Sequence, residues 1–320
     1  MSKIRCAVIG IGYLGRFHAQ KYQLAPNAEL VAVCDLNSEV CEAVSKELDV
    51  PFYTDYHELF GKVDAVSIAA TTNKHFEIAK ACLEQGVHVL IEKPITETVA
   101  QAEELIRLAQ KHNLKLQVGH LERFNSARLA LDQYLKTPLF IESERLAPFN
   151  PRGTDVNVIL DLMIHDIDII QNMIQSPITS IEAQGTPVLT KAIDIANARI
   201  TFANHCVANV TASRISFKTE RKTRIFQDDS YISIDYHNKQ LAVFKKGNGE
   251  MFPGIPDITS EQKEFEKGDA LLEEIKAFLT CIEKNTTPLV TGEEGRYALE
   301  TAEKITTLIN SNLIERHART

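Results

Sequence analysis

Apolar residues follow two rhythms along the chain. Over roughly the first third, short unbroken apolar runs alternate with longer segments in which apolar positions recur every three or four residues. The runs at 4–9, 29–34, 51–54, 64–69, 87–91 and 114–118 read as strands. Between them, residues 16–23, 38–48, the brief 55–60, a segment from Lys74 ended by Gly86, and 97–112 read as helices, with Ser38 as a helix cap. Strands that are apolar throughout are buried on both faces, so the alternation over residues 3–118 predicts a parallel sheet with helices on both sides.

From about residue 120 the rhythm changes. Residues 124–135 and 157–175 read as helices, the second carrying Leu160, Met163, Ile164, Ile167 and Ile170. Residues 140–146 alternate as a strand. Short strand-like runs follow at 178–188, 196–202, 206–213, 223–227, 231–236 and 239–244, with His237-Asn238 and Gly247-Asn248-Gly249 as turn signals. Strands joined without intervening helices predict an antiparallel sheet, so the second domain is expected to be α+β. Residues 268–283 and 297–313 read as closing helices joined through Pro288 to Gly292, and 315–320 as a frayed tail. The expected division is residues 1–120 and 121–320, with no internal repeat.

Composition narrows the class of protein. The 320 residues are 44% hydrophobic and 24% charged, with a net charge of −8, which argues against a nucleic-acid partner. No apolar run approaches a membrane span, and Met1-Ser2-Lys3 leads straight into a strand, so a cytoplasmic protein is expected. Six scattered cysteines show no zinc spacing and read as buried reduced thiols.

Three stretches carry candidate chemistry. In the first, strand 4–9 passes through Gly10-Ile11-Gly12-Tyr13-Leu14-Gly15 directly into a helix. This is the pattern in which Gly10 makes a tight turn, Gly12 lets backbone N–H groups approach a pyrophosphate, and Gly15 lets helix and strand pack closely. Asp35 ends the second strand twenty residues past Gly15, where an acid holds a ribose 2′-hydroxyl. With Leu36 and Asn37 following and no arginine adjacent, NAD is expected over NADP. The bland alternative is a glycine turn that packs without a ligand. Parallel sheets bind ligands beyond the carboxyl ends of their strands, so loops 10–15, 70–75 and 92–94 should converge on one crevice.

The second stretch is Glu92-Lys93-Pro94, at the end of an interior strand. A partly desolvated lysine there can hold a hydroxyl and exchange its proton, because burial tunes its pKa. Taken alone, Lys93 reads at least as well as a solvated loop lysine. Pro94 tips the balance by restricting Lys93 to extended conformations. The third stretch runs from Asp161 to Asp168. Asp161 and His165 are four apart and share a helix face, so the carboxylate can orient the imidazole, and histidine is the natural base for a hydroxyl proton near neutral pH. By itself the pair is read more readily as a dipole-compensating aspartate and a satisfied core histidine. Asp166 and Asp168 point to other faces and no second histidine stands at helical spacing, so no metal is expected.

In this order the glycine fingerprint, Asp35, the Ala70-Thr71-Thr72-Asn73-Lys74-His75 loop, Glu92-Lys93-Pro94 and Asp161-x-x-x-His165 resemble the Gfo/Idh/MocA oxidoreductase family over essentially the whole chain. The resemblance implies an α/β Rossmann domain plus an α+β domain with a large open-faced, mainly antiparallel sheet. It also implies hydride transfer between NAD and a sugar or polyol carbon. Gly10, Gly12, Tyr13, Leu14, Gly15, Asp35, Thr71, Asn73, His75, Glu92 and Lys93 would then hold the cofactor. Lys93, Asp161 and His165 would be catalytic, with His165 taking the hydroxyl proton while Lys93 holds the oxygen.

Within the family, residues 119–125, the Glu144-Arg145-Leu146-Ala147-Pro148 strand end and the helix at 161–168 look most like the branch that oxidises the 3-hydroxyl of UDP-N-acetylglucosamine-type sugars. Arg123, Arg145 and Arg152, with Asp161 and His165, are the expected substrate contacts. Arg145 and Arg152 suit a diphosphate, because guanidinium matches its geometry. Arg145 reads equally well as paired with Glu142 or Glu144 across the sheet. An inositol or free-sugar dehydrogenase and a non-catalytic NAD-binding regulator are the competing functions. The resemblance further implies a homodimer or homotetramer through residues 178–245, covering alternating apolar residues on the open sheet face, and an aminotransferase downstream.

Overall fold

The structure, a computed structural model, describes residues 3–151, 156–266 and 268–318. In chain order the elements are β1 (Ile4–Ile9), α1 (Tyr13–Leu24), β2 (Ala28–Cys34), α2 (Ser38–Leu48), β3 (Phe52–Tyr53), β4 (Ala65–Ile68), α3 (Thr72–Glu84), β5 (His88–Glu92), α4 (Val99–Lys111) and β6 (Leu116–Gly119). Then follow α5 (Ser126–Leu131), β7 (Phe140–Leu146), α6 (Ile164–Ile174), β8 (Ile178–Thr186), β9 (Ile195–Phe202), β10 (Val207–Ser213), β11 (Glu220–Phe226) and β12 (Ser230–Asp235). The chain closes with β13 (Gln240–Phe252), β14 (Ile255–Glu264), α7 (Ala270–Glu283) and α8 (Gly292–Ala318). No helix among the described residues is long and apolar enough to cross a membrane.

The chain divides into two compact units. One holds the residues up to Phe124 together with Asp269–Leu299, and the other holds Asn125–Gly268 and the chain from Glu300. The first boundary lies close to residue 120, whereas α7 and the start of α8, expected in the second domain, belong with the first unit. The cause is apolar burial: Leu271, Ile275, Phe278 and Leu279 of α7 join one core with Val8, Ala19, Tyr22 and Val33.

In the first unit six parallel strands run in the order β3-β2-β1-β4-β5-β6. Crossing from β1 to β4 reverses the direction of winding, and the crevice at that switch point is where such sheets take a dinucleotide. Local chemistry sets the helix starts. Asn37, not Ser38, caps α2, its side chain accepting from the N–H groups of Glu39 and Val40. Thr98 and Gln101 form a reciprocal capping box on α4.

The second unit is built on eight strands in the order β14-β13-β12-β11-β7-β10-β9-β8, antiparallel except where β7 meets β10. One face is buried, with Ile141 of β7, Ala198 and Ile200 of β9, and Val210 and Ala212 of β10 beside the apolar residues of α6. The opposite face does not carry the alternating apolar residues expected of it. Its half-exposed or exposed positions include a polar row, Glu182, Arg199, Asn209, Glu142 and Arg224, running across five strands. Beside this lies one aromatic row, in which Phe140, Phe226, Tyr231 and Phe244 follow at centroid spacings of 5.8, 5.1 and 5.6 Å.

The hairpin at the edge of this sheet differs most from expectation. Residues 247–249 lie inside β13 rather than in a turn, and β14 had no counterpart in the sequence reading. A Cβ on Gly247 would fall 2.0 Å from an Asp257 carboxylate oxygen, so the glycine makes room for that side chain. The chain reverses instead at Gly254, at φ +78°.

Candidate active site

In the first unit the fingerprint glycines have separate physical tasks. Gly10 sits at φ +85°, and a Cβ there would approach the Ala70 nitrogen to 2.5 Å. A Cβ on Gly15 would fall 1.8 Å from the Gly10 carbonyl oxygen, whereas one on Gly12 would meet no atom within 4 Å. Gly10 and Gly15 therefore permit packing, and Gly12 keeps a space open. No side chain caps α1 and no acid stands in its first turn, so its N–H groups face that space with the positive end of the helix dipole.

A cleft of about 370 Å³ opens beside these glycines, lined by Gly10, Gly12, Asp35, Leu36, Tyr56 and Thr71 among others. Asp35 braces its edge by accepting the Ile11 N–H at 2.8 Å and the Asn37 N–H at 2.9 Å. Burial pushes the thiol of Cys34, also on the cleft wall, up to about 12, which favours the neutral thiol there. An open glycine cradle, an uncapped helix start and an acid at the end of the second strand together fit a dinucleotide. Tyr13 and Leu14 are exposed at the start of α1, and the Thr71 hydroxyl donates to the Asn73 side-chain oxygen at 2.7 Å in the adjoining loop.

The strand-end loops are tied to one another. His75 places one ring nitrogen 2.9 Å from the Pro94 carbonyl and the other 3.0 Å from the Ala70 carbonyl. At 1% exposure it joins loops 70–75 and 92–94 from within, which corrects its assignment as a cofactor contact. Burial holds its pKa below the ordinary histidine value. Lys93 is half-buried at the end of β5, before a cis peptide bond to Pro94. The Glu92 carboxylate accepts the Lys93 N–H at 3.3 Å and lies 2.9 Å from Nε2 of His18. It therefore ties the half-buried Lys93 peptide to His18 of α1.

In the second unit Asp161 and His165 stand on one helical run, capped by the Asn157 side chain, which accepts from the N–H groups of Ile159 and Leu160. The run is not uniformly α-helical. Residues Ile159–Met163 form a wider π-turn, with the Ile164 N–H bonded to the Ile159 carbonyl, before α6 begins. Such turns are rare inside α-helices and are found frequently at functional sites. Both side chains are half-buried.

The arginine assignments change. Arg145 is 3% exposed, and its guanidinium reaches Asp166 at 2.6 and 3.3 Å, so it neutralises a buried carboxylate instead of waiting for a diphosphate. Glu142 and Glu144 meet Arg224 instead, at 3.4 and 3.7 Å. Arg123, 5% exposed, bonds Glu294 at 2.6 Å and the Leu289 carbonyl at 3.2 Å, fastening the turn after β6 to the start of α8. Burial would raise the Glu294 pKa, but the Arg123 charge and the Thr291 N–H hold it below the ordinary value. Arg152 lies outside the described residues.

The sequence reading gave no role to His18, Tyr22, Ser67 or Glu274. The available signal was the spacing of Gly15, His18 and Tyr22, which share the strand-facing side of α1.

Comparison with known proteins adds an independent line. Residues 4–120 match the oxidoreductase family with an NAD-binding Rossmann fold, and residues 119–233 match the GFO/IDH/MocA C-terminal domain. The chain is 39% identical to UDP-N-acetylglucosamine 3-dehydrogenase of Acidithiobacillus ferrooxidans over 98% of this chain and 99% of that protein. A crystal structure of that enzyme superposes with a TM-score of 0.92 over 97% of this chain and 99% of its own. Myo-inositol 2-dehydrogenase of Thermotoga maritima is 25% identical over 92% of this chain and 93% of its own.

Proposed function

The chain belongs to the Gfo/Idh/MocA family of NAD-binding oxidoreductases, and from that premise we propose that it oxidises the 3-hydroxyl of UDP-N-acetylglucosamine to a 3-keto nucleotide sugar. The observation that carries the substrate class is full-length identity of 39% to an enzyme of that name, against 25% to an inositol dehydrogenase. When bound, NAD supplies the hydride acceptor.

The residue chemistry follows from the groups present. His165 takes the proton of the secondary hydroxyl on a ring nitrogen, and Asp161 orients the imidazole and stabilises its protonated form. Lys93 donates a hydrogen bond to the same oxygen and steadies it as the carbonyl forms. Gly12 and the first turn of α1 hold the pyrophosphate, and Asp35 holds the adenosine ribose. Arg152 remains the proposed diphosphate contact. We place the reaction in the cytoplasm and assign a homodimer or homotetramer that covers the open sheet face along its aromatic row. An aminotransferase consuming the 3-keto product is the proposed downstream partner.

The test is nicotinamide absorbance on mixing protein and NAD with UDP-N-acetylglucosamine, beside myo-inositol and free glucose, with a carbonyl trap to draw off product. Reduction with the nucleotide sugar alone is expected. Lys93→Ala and His165→Ala should each lose about 100-fold or more in kcat while still binding NAD. Reduction only with the polyols would replace the substrate class, and silence in every mixture with NAD bound would indicate a regulator.

A further inference from the structure

A buried hydrogen-bonded chain runs beneath the fingerprint. The Tyr22 hydroxyl lies 2.8 Å from the Ser67 hydroxyl, Ser67 lies 3.1 Å from Nδ1 of His18, and Nε2 of His18 lies 2.9 Å from Glu92. Tyr22, Ser67 and His18 are all 0% exposed. The ends of the chain fix its direction. Burial holds the Tyr22 phenol protonated, and among the described residues its hydroxyl meets Ser67 alone, so it donates to Ser67. Ser67 then donates to Nδ1, which leaves Nε2–H to donate to the carboxylate. Every proton in the sequence Tyr22, Ser67, His18, Glu92 is then used once.

The carboxylate is held on two further sides. Its second oxygen accepts the Lys93 N–H at 3.3 Å, and a Cβ on Gly119 would stand 2.9 Å from the oxygen that faces His18. The bare backbone of Gly119 is therefore the wall against which His18 presses the group.

We propose that His18 is a positioning residue, held as its Nε2–H tautomer by Ser67 and Tyr22, which fixes the Glu92 carboxylate and through it the peptide that carries Lys93. The inference rests on the assignment of Lys93 to the reacting oxygen. It gives α1 two duties: its first turn receives the pyrophosphate, and the imidazole of its sixth residue sets the placement of the lysine. Cofactor and catalytic lysine are thereby referred to one rigid helix, and small errors in such placement are costly in rate.

The experiment compares His18→Leu, His18→Gln and Gly119→Ala with wild type. A glutamine amide can both accept from Ser67 and donate to Glu92, so His18→Gln should stay within about threefold of wild type in kcat. His18→Leu removes the donor and Gly119→Ala crowds the carboxylate from the other side. Each should lower kcat about tenfold or more, with the calorimetric Kd for NAD changed much less. Nitrogen-15 spectra of histidine-labelled protein should show His18 as the Nε2–H tautomer. The Lys93 backbone amide should move in His18→Leu and return in His18→Gln.

The amide and tautomer readings need no substrate. A silent wild type with these signals as expected would sink the substrate assignment and leave the positioning chain standing. An Nδ1–H tautomer, an unmoved Lys93 amide, or a glutamine variant as impaired as leucine despite equal thermal stability would overturn the role of His18. If His18→Leu does not fold, His18→Gln and Gly119→Ala decide the matter by the same readings.

Discussion

The Arg145 guanidinium and the Asp166 carboxylate meet at 2.6 Å with side-chain exposures of 4% and 0%, on the face of the second sheet away from its polar and aromatic rows. Ser143 donates to the same carboxylate at 3.0 Å and shares a hydrogen bond with Thr223 at 2.8 Å. Asp166 is thus the neighbour of His165 in sequence and the anchor of β7 in structure.

Truncating one partner of a buried ion pair strands the other charge, which typically costs about 3–5 kcal/mol. Arg145→Ala should therefore lower the denaturant midpoint of the protein by about that much free energy. A diphosphate clamp would behave differently, raising KM for the nucleotide sugar at unchanged stability. Denaturant titration beside steady-state kinetics separates the two, and an intact midpoint with a raised KM would restore the clamp.

The glycines of the fingerprint should separate folding from cofactor binding. Gly15→Ala places a methyl group 1.8 Å from the Gly10 carbonyl oxygen, a clash expected to cost about 3 kcal/mol or more. Gly12→Ala meets no protein atom within 4 Å, so the melting temperature should be unchanged while the Kd for NAD rises about tenfold or more. Calorimetry with NAD, run beside thermal melts, checks both. Tight NAD binding by Gly12→Ala would mean that the open space is not where the pyrophosphate lies.

Much of this layout was legible in the sequence because it is carried by local rules. Apolar runs and glycine turns marked the strands of the first sheet, and the Gly10–Asp35 spacing marked the edge of its cleft. What was missed depends on long-range pairing. Asn37 displaced Ser38 as the α2 cap by one residue, a choice between two good capping side chains. The wide turn at Ile159–Met163 leaves no signature in helical periodicity. Residues 255–264 are largely exposed and polar, so β14 has no apolar face to announce it and forms only because β13 offers an edge. Arg145 chose Asp166 over the nearer Glu144 because the buried carboxylate sits on its own face of β7, while Glu144 alternates to the other. His18 lay inside the fingerprint stretch, but its partners Ser67 and Glu92 are 49 and 74 residues away.

His75 gives the first unit a dependence on acid. Its ring is buried between two carbonyl oxygens, and burial lowers its pKa below the ordinary value of 6.5. Below that pH the unfolded chain takes up a proton that the folded protein refuses. Stability is therefore complete above about pH 6.5 and falls toward the depressed folded value, at up to about 1.4 kcal/mol per pH unit for one site. His88, lowered mainly by burial and next by the charge of Lys115, acts with the same sign. Melting of His75→Gln between about pH 7.5 and about pH 5.5 should show a shallower decline than wild type. Parallel curves would mean that the imidazole protonates in place.

Glu274 of α7 has the opposite dependence. Its side chain is fully buried, and neither carboxyl oxygen has a hydrogen-bond partner among the described residues. Burial, and after it the charge of Glu92, raises its pKa well above the ordinary value of 4.5. The folded protein therefore keeps a proton that the unfolded chain gives up, so the group favours folding fully only in acid. As pH rises above the ordinary carboxylate range, wild type loses stability at up to about 1.4 kcal/mol per pH unit until the buried carboxyl itself ionises. Glu274→Gln keeps the shape and removes the titration. Its stability relative to wild type should climb steadily from about pH 5 to about pH 8 in denaturant titrations. A flat difference between Glu274→Gln and wild type would show instead that solvent reaches the carboxyl and lets it titrate alike in the folded and unfolded chain.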